Sequence, residues 1–190
     1  MTRRLIAFSL ALTLGVALVG CQQPEAGMAH GHDGPPPRPA ELDKLDSFIG
    51  NWTTTCDMTM NGETTKCQGA GSSSWALDNR VVISKFEFDM GEMGKMQGME
   101  VLTWDPSAGK YRTYWFDSMG GVGEGTMRYD DKSGMWVSKG SSIDGMSGEA
   151  RANSGTMKVL DSGKHEWSFK ETDPWGFKTT MELKGISTKQ

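Results

Sequence analysis

Apolar and polar residues alternate along several stretches of this chain. In the segment NRVVISKFEFDM (residues 79–90), Val82, Phe86 and Phe88 fall on one face of an extended backbone, whereas Lys85 and Glu87 fall on the other. The C-terminal segment GFKTTMELKG alternates in the same way. A period of two residues is typical of β-strands that have one buried and one solvated face. The pattern therefore predicts antiparallel strands around an apolar interior.

Strand patterns of this kind follow one another from Asn51 to the C-terminus. Turn signals separate them, among them Asn61-Gly62 and Asp105-Pro106. We count about ten strands, and an open antiparallel sheet of that size would leave unpaired edges or curl. Closure into a barrel removes the edges, so the strand count favours a closed barrel.

One helical pattern precedes the strands. Leu42, Leu45 and Ile49 recur at steps of three and four residues, and Gly50 ends the helix. A helix of one or two turns is long enough to plug one end of a barrel. The sequence thus predicts an all-β domain over residues 41–190, a closed antiparallel up-and-down barrel of about ten strands with a short N-terminal helix.

The N-terminus has the pattern of an exported lipoprotein. Arg3 and Arg4 precede an uncharged, mostly apolar run from Leu5 to Val19, which is shorter than the roughly 20 residues that cross a bilayer but typical of a signal peptide. The run leads into LVGC, ending at Cys21, which resembles the lipobox of bacterial lipoproteins. The resemblance implies that residues 1–20 are a lipoprotein signal peptide and that acyl chains on Cys21 anchor the protein in a membrane.

Residues 21–40 are rich in proline and glycine and have almost no aliphatic side chains, which predicts a flexible tether. In Gram-negative lipoproteins an aspartate after the cysteine resembles an inner-membrane retention signal. This chain has Gln22 there, which favours the periplasmic face of the outer membrane.

The charge balance excludes some partners. Residues 1–20 hold two of the 20 basic residues and none of the 24 acidic ones, so their removal changes the net charge from −4 to −6. An acidic domain is poorly suited to the phosphates of nucleic acids or to anionic lipid headgroups. We expect a membrane partner reached through the lipid, and no nucleic acid.

Cys56 and Cys67 are symmetric about the Asn61-Gly62 turn. A two-residue hairpin loop pairs Met60 with Glu63, and counting outward pairs the two cysteines. Directly opposed residues in an antiparallel pair lie about 4.5–5.5 Å apart at Cα, which is within the range of a disulfide. Because exported proteins meet an oxidising environment, we predict a Cys56–Cys67 bridge.

Three segments resemble a known bacterial family. They are LDKLDSFIGNW, the block GMEVLTWDPSAGKYRTYWFDSMGGVGEGTMRYDDKSGMW, and GFKTTMELKG. Together they are similar to domain-of-unknown-function family 1579 over most of Leu42 to Gly185. The resemblance implies a lipocalin-like or nitrobindin-like barrel. It implies no mechanism, because the family has no established activity.

The segment MGEMGKMQGM has a methionine at every third position, namely Met90, Met93, Met96 and Met99. Interleaved glycines argue against a helix, so we expect a flexible loop at the rim of the barrel that acts as a lid. The alternative is copper handling, since thioethers are good ligands for Cu(I). His30 and His32 in the tether form a weak metal motif that we interpret as solvated linker.

A catalytic constellation is not recognisable in the sequence. Serines lack the Gly-x-Ser-x-Gly spacing, and no phosphate loop or zinc motif is present. His165 shares a strand face with Trp167 and Phe169, and nitrobindin-like barrels bind haem through a histidine. We favour a core histidine instead, because the glycine-rich haem signature is missing. We expect no cofactor and no catalysis, with an enzyme acting on a lipid-like molecule as an alternative.

Aromatic residues are numerous enough to line the interior. A barrel of this size is either filled by side chains or holds one small ligand. The residues expected to bind a small apolar ligand are Phe86, Phe88, Trp115, Tyr129, Trp136 and Trp167. Trp104, Tyr111 and Phe177 are further candidates for the interior.

Overall fold

Ten antiparallel strands close into a barrel in the computed structural model, which describes residues 34–91 and 94–190. A 3-10 helix, Ala40–Phe48, precedes them. The strands are β1 (Gly50–Met60), β2 (Glu63–Ala76), β3 (Val81–Asp89), β4 (Lys95–Asp105), β5 (Lys110–Asp117), β6 (Val122–Asp130), β7 (Met135–Ile143), β8 (Ala150–Asp161), β9 (Lys164–Thr172) and β10 (Thr179–Lys189). The predicted fold class is confirmed.

Each strand pairs with its neighbours in the chain, and β1 pairs with both β2 and β10. Successive turns therefore lie at alternate ends of the barrel. We call one end the helix end, because the 3-10 helix packs there, and the other end the mouth. The connections at the mouth join β1 to β2, β3 to β4, β5 to β6, β7 to β8 and β9 to β10.

The 3-10 helix closes the helix end with apolar side chains. Leu42 and Leu45 are almost completely buried and pack against Val82, Leu102 and Trp136 from the barrel wall. We call this cluster the plug. It also includes Tyr111 and Met127, with Phe48, Trp75, Trp104, Tyr129 and Met157 at its margin.

Hydrogen bonds join the helix to the strands. The Trp52 indole donates to the Phe48 carbonyl at 2.8 Å, and the Tyr111 hydroxyl donates to the Glu41 carbonyl at 2.6 Å. They use carbonyls that a short helix leaves without partners. Arg38, which the sequence assigned to the tether, also contacts the barrel, because its Nε donates to the Asn79 carbonyl at 2.7 Å. No helix within the described residues is long and apolar enough to span a membrane.

The first hairpin has the predicted register. Asn61 and Gly62 both have positive φ, at 52° and 84°, as a two-residue hairpin turn requires. Cys56 therefore lies opposite Cys67, and the two form a disulfide with their Cα atoms 5.0 Å apart. The bridge is buried beside Met58 and joins two strands that are already hydrogen-bonded to each other.

We expect reduction of this bridge to lower the free energy of unfolding. The loss should be only about 2–3 kcal/mol, because the loop that the bridge closes is short. Urea unfolding with and without dithiothreitol measures the effect. The Cys56→Ser/Cys67→Ser variant should be destabilised to a similar extent and show no response to dithiothreitol. An unchanged midpoint on reduction of the wild type would contradict the expectation.

Two predicted boundaries are wrong. The methionine-rich segment is not one loop, because β4 begins at Lys95 and therefore includes Met96 and Met99. The last strand begins at Thr179, because Asp173 holds a turn in which its carboxylate accepts the Phe177 amide at 2.8 Å. Phe177 is consequently 88% exposed at the mouth instead of lining the interior.

Candidate functional site

The inward-facing side chains are large and apolar in the plug and become small or polar just beyond it. On seven consecutive strands, β2 to β8, the next inward-facing residue towards the mouth is small or polar. We call this set the polar layer: Ser73, Ser84, Glu100, Thr113, Gly125, Ser138 and Gly155. Glycine, serine and threonine fill little space, so the side chains at this level leave more room than those of the plug.

Between the polar layer and the mouth, aromatic rings lie flat against the wall. A Cβ atom added to Gly98 would lie 2.5 Å from the Trp115 ring, and one added to Gly69 would lie 2.6 Å from the Phe88 ring. Phe86 over Gly71 and Trp167 over Gly185 repeat the arrangement. Each ring covers a glycine of the neighbouring strand, which lets it lie along the wall instead of pointing across the barrel.

Hydrogen bonds and stacking hold two of these rings in place. The Trp115 indole donates to Asp117 Oδ2 at 3.0 Å, and its ring stacks on Phe86 with centroids 5.8 Å apart. The Trp167 indole donates to Ser187 Oγ at 3.1 Å. All four wall residues stay partly accessible although they face inward, in contrast to the buried plug. We call the interior of the barrel between the polar layer and the mouth the lumen.

Two residues predicted to bind the ligand belong to the plug instead. Trp136 is only 2% exposed, and Tyr129 packs against it with ring centroids 5.1 Å apart. Phe48 from the helix covers Trp136 at 5.4 Å. Tyr111 and Trp104 also belong to this region. Alternation along a strand shows that a side chain faces inward, but it does not show at which depth the barrel is filled.

Glu100 is the only charged member of the polar layer. It pairs across the sheet with Ser84 on β3 and with Trp115 on β5. The residue keeps some solvent exposure, and its partial burial raises the pKa of Glu100 to about 7. No hydrogen bond or ion pair to Glu100 is found within the described residues.

A second charged group faces inward nearer the mouth. The Arg151 guanidinium forms ion pairs with Glu149 at 2.6 Å and with Glu171 at 3.5 Å. Glu171 also accepts a hydrogen bond from the Thr180 hydroxyl at 2.8 Å. The Arg151 and Glu171 side chains are each 15% exposed. The cation is therefore shared between two carboxylates.

Sequence reasoning missed Glu100 and Arg151, although the signal was present. Glu100 alternates in phase with Leu102 and Trp104, and Arg151 alternates in phase with Met157. Charged residues in phase with an apolar face indicate a function or a buried ion pair.

The structure describes three of the four methionines, and two of these lie on opposite faces of one strand. Met90 packs beside the disulfide cluster at the mouth, and Met93 lies outside the described residues. Met96 and Met99 lie on β4 three residues apart, so their side chains point to opposite faces of the sheet. The role of this segment as a lid stays a prediction, with Met96 and Met99 placed in a strand. Copper binding by these methionines stays a prediction.

His165 lies in the core at the helix end. It is 5% exposed, and its ring lies 4.3 Å from that of Trp52 between ring centroids. Burial lowers the pKa of His165, and the nearby Lys189 acts in the same direction. These contacts agree with the core interpretation that we favoured over haem ligation. Cys21, His30 and His32 lie outside the described residues.

A groove of about 990 Å³ also runs along the outer face of β8, β9, β10, β1 and β2. Its lining includes Asp57, Lys66, Lys158 and Glu166, which face solvent, and Asp57 forms an ion pair with Lys66 at 2.5 Å. Exposed, mutually neutralising charges are a poor surface for burying an apolar molecule. We therefore place the candidate site in the lumen. Within the described part of the chain, no cluster of three or more His, Cys, Asp or Glu residues could hold a metal ion.

Fold and site together define a closed ten-stranded barrel, plugged at one end and lined with aromatic rings towards the other. Residues 39–184 match the family model "Protein of unknown function (DUF1579)", and the chain belongs to this family. The family resemblance predicted from the sequence is confirmed. No curated protein matches the chain.

Two solved structures have a similar fold. The crystal structure of Rv2717c from M. tuberculosis aligns with a TM-score of 0.61 and 11% identity, covering 81% of this chain and 99% of that one. The S-type phycobiliprotein lyase CPES from Guillardia theta aligns with a TM-score of 0.56 and 11% identity, covering 80% of this chain and 94% of that one. At such low identity the similarity shows a shared fold.

Proposed function

We propose that this protein binds a small, largely apolar molecule in the lumen of its barrel. The observation that carries the proposal is the set of rings laid flat over glycines, including Trp115 over Gly98 and Trp167 over Gly185. A barrel filled by its own side chains would direct these rings towards the axis. Here the rings face inward, lie along the wall and stay partly accessible, an arrangement that suits a cavity with apolar walls.

The plug supports the same proposal. It seals the helix end with Leu42, Leu45 and Trp136, all nearly inaccessible, so a ligand would enter from the mouth. The core that stabilises the fold is thus separate from the lumen, so a ligand could bind in the lumen without any loss of packing in the core. One protein with this fold is named as a phycobiliprotein lyase, so the fold accommodates an enzyme as well. We propose a binding protein because the lumen offers a lined space, whereas we recognise no catalytic set of residues in it.

The proposed location is the cell envelope. The lipobox-like LVGC sequence supports lipid anchoring at Cys21, and Gln22 supports the periplasmic face of the outer membrane. A lipid-anchored barrel would hold its ligand close to a membrane, where apolar molecules are concentrated. The proposed partners are therefore the membrane, reached through the lipid, and the small ligand.

Native mass spectrometry of protein purified from its own cells tests ligand binding. We expect an additional bound mass in the wild type. Gly98→Leu should lose most of that occupancy, because a side chain at this position meets Trp115 and pushes the ring into the lumen. Gln97→Leu is the matched control, since it places the same side chain one residue away on the exposed outer face.

Circular dichroism must show both variants folded before occupancies are compared. Repeated spectra of the wild type without any bound mass, together with no binding of neutral apolar probes such as decanol, would overturn the proposal. Equal occupancy in Gly98→Leu and the wild type would show that the ligand lies elsewhere.

A further inference from the structure

The carboxylate side chain of Glu100 is half-buried on the inner face of the barrel, and among the described residues it has no hydrogen-bond or ion-pair partner. Seven strands contribute to the polar layer, and their other members are serine, threonine or glycine. The hydroxyl of Ser73 donates to that of Ser84 at 2.7 Å, so these two satisfy each other. A partly desolvated carboxylate without a partner costs stability, so its place among these small, neutral residues calls for a functional explanation.

The neighbouring charges do not compensate Glu100. On β3, Lys85 and Glu87 face outward, and Glu87 pairs with Lys95 on the outer face. Arg151 is already engaged by Glu149 and Glu171. Among the described inward-facing residues above the plug, carboxylates therefore outnumber cations. The field inside the lumen favours a positive charge.

The surroundings of Glu100 also suit a cation with an apolar body. Trp115 lies directly across from it on β5 and stacks on Phe86, so aromatic faces rise from the carboxyl towards the mouth. Aromatic faces attract cations and bury apolar groups at the same time. A protonated amine next to Glu100 would place its alkyl or aryl part along these rings.

We propose that the lumen ligand carries a basic, protonated nitrogen and that Glu100 is the residue that binds it. The inference rests on the proposed function, because it requires a ligand in the lumen. It names the chemical class of that ligand as an apolar amine. The contact would be a charge-assisted hydrogen bond from the ammonium group to the carboxylate, in the floor of the site.

Isothermal titration calorimetry of the full chain at pH 8 tests the inference with three probes of equal chain length: decylamine, decanol and decanoate. The wild type should bind decylamine most tightly and decanoate most weakly. Glu100→Gln should weaken decylamine binding about 10- to 100-fold, the effect of losing a hydrogen bond to a charged group. Decanol binding should stay within about threefold, because its hydroxyl also bonds to an amide.

Glu124→Gln is the matched control, because Glu124 is an exposed glutamate on the outer face of β6. It should leave all three affinities unchanged. If decanol binds but decylamine has no advantage, or if Glu100→Gln binds decylamine as the wild type does, the inference is overturned while the proposed function stands. If none of the probes binds, the proposed function itself fails.

Discussion

Replacing Trp136 by alanine is expected to lower the free energy of unfolding by about 3–5 kcal/mol, the largest effect of any single change considered for this barrel. Trp136 is 2% exposed, and three rings surround it: Phe48 at 5.4 Å, Tyr111 at 4.9 Å and Tyr129 at 5.1 Å between centroids. The substitution removes apolar contact and three edge-on or tilted ring pairs. It also leaves a cavity under the helix that rigid strands cannot fill.

Urea unfolding followed by circular dichroism measures this loss. Trp175→Ala provides the control, because Trp175 is 77% exposed in the turn between β9 and β10 and its removal should change stability by less than about 0.5 kcal/mol. Equal effects of the two substitutions would show that the plug is not the core of the fold. If Trp136→Ala lost the packing of the 3-10 helix while its strands stayed intact, the barrel wall and not the plug would be the core of the fold.

Glu100→Gln is expected to stabilise the ligand-free protein at pH 8 by on the order of 3 kcal/mol, and to have little effect near pH 4. The folded protein raises the pKa of Glu100 from 4.5 to about 7 by burial. The folded state therefore binds the Glu100 proton more tightly than the unfolded chain does. The wild type loses stability as the pH rises through the window from about 4.5 to 7, where the unfolded chain ionises before the folded one.

Other titrating groups also contribute to the pH profile. His165 acts in the opposite direction, because burial lowers its pKa and its contribution to stability is lost as the pH falls below its ordinary value. Tyr111 and Asp117 lie on β5 beside Glu100, and burial raises the pKa of Tyr111 to about 12, outside the window. Urea unfolding of wild type and variant from pH 4 to pH 8 isolates Glu100 by difference. A constant difference across this range would contradict the assignment.

Together, the two predictions imply that the protein gives up some stability at Glu100 for the sake of ligand binding. The plug stabilises the fold by packing, whereas Glu100 lowers the stability of the ligand-free protein above pH 7. Its carboxylate would gain a partner only from a suitable ligand. A ligand that pairs with Glu100 should therefore raise the unfolding midpoint of the wild type more than that of Glu100→Gln. This coupling follows because whatever binds the native state alone stabilises it.

The sequence predicted those features that depend on neighbours along the chain. Alternation in segments such as 79–90 established the strands, and the Asn61-Gly62 turn established the register that opposes Cys56 to Cys67. Prediction failed where the decisive contact was distant or the turn chemistry was overlooked. The Asp173 carboxylate holds a turn that contains Trp175 and Phe177, although the alternation of apolar and polar residues continues through them.

The candidate site was predicted only in part for the same reason. Phe86, Phe88, Trp115 and Trp167 face the interior between the polar layer and the mouth, and their role in ligand binding stays a prediction. Tyr129 and Trp136, which have the same alternation, belong to the plug. The difference lies in the height of each residue along the barrel, which depends on how all ten strands are staggered. The charge of Glu100 in phase with Leu102 and Trp104 is a signal in the sequence, but only the tertiary structure shows which groups surround it.

By itself, the amino-acid sequence determined that this chain forms a closed barrel of short strands with a helix before them, because the period of the side chains and the turn residues act locally. Only the tertiary structure decided which inward residues fill the barrel and which line a space. That choice depends on packing between strands far apart in the chain, where a glycine on one strand makes room for the ring of another.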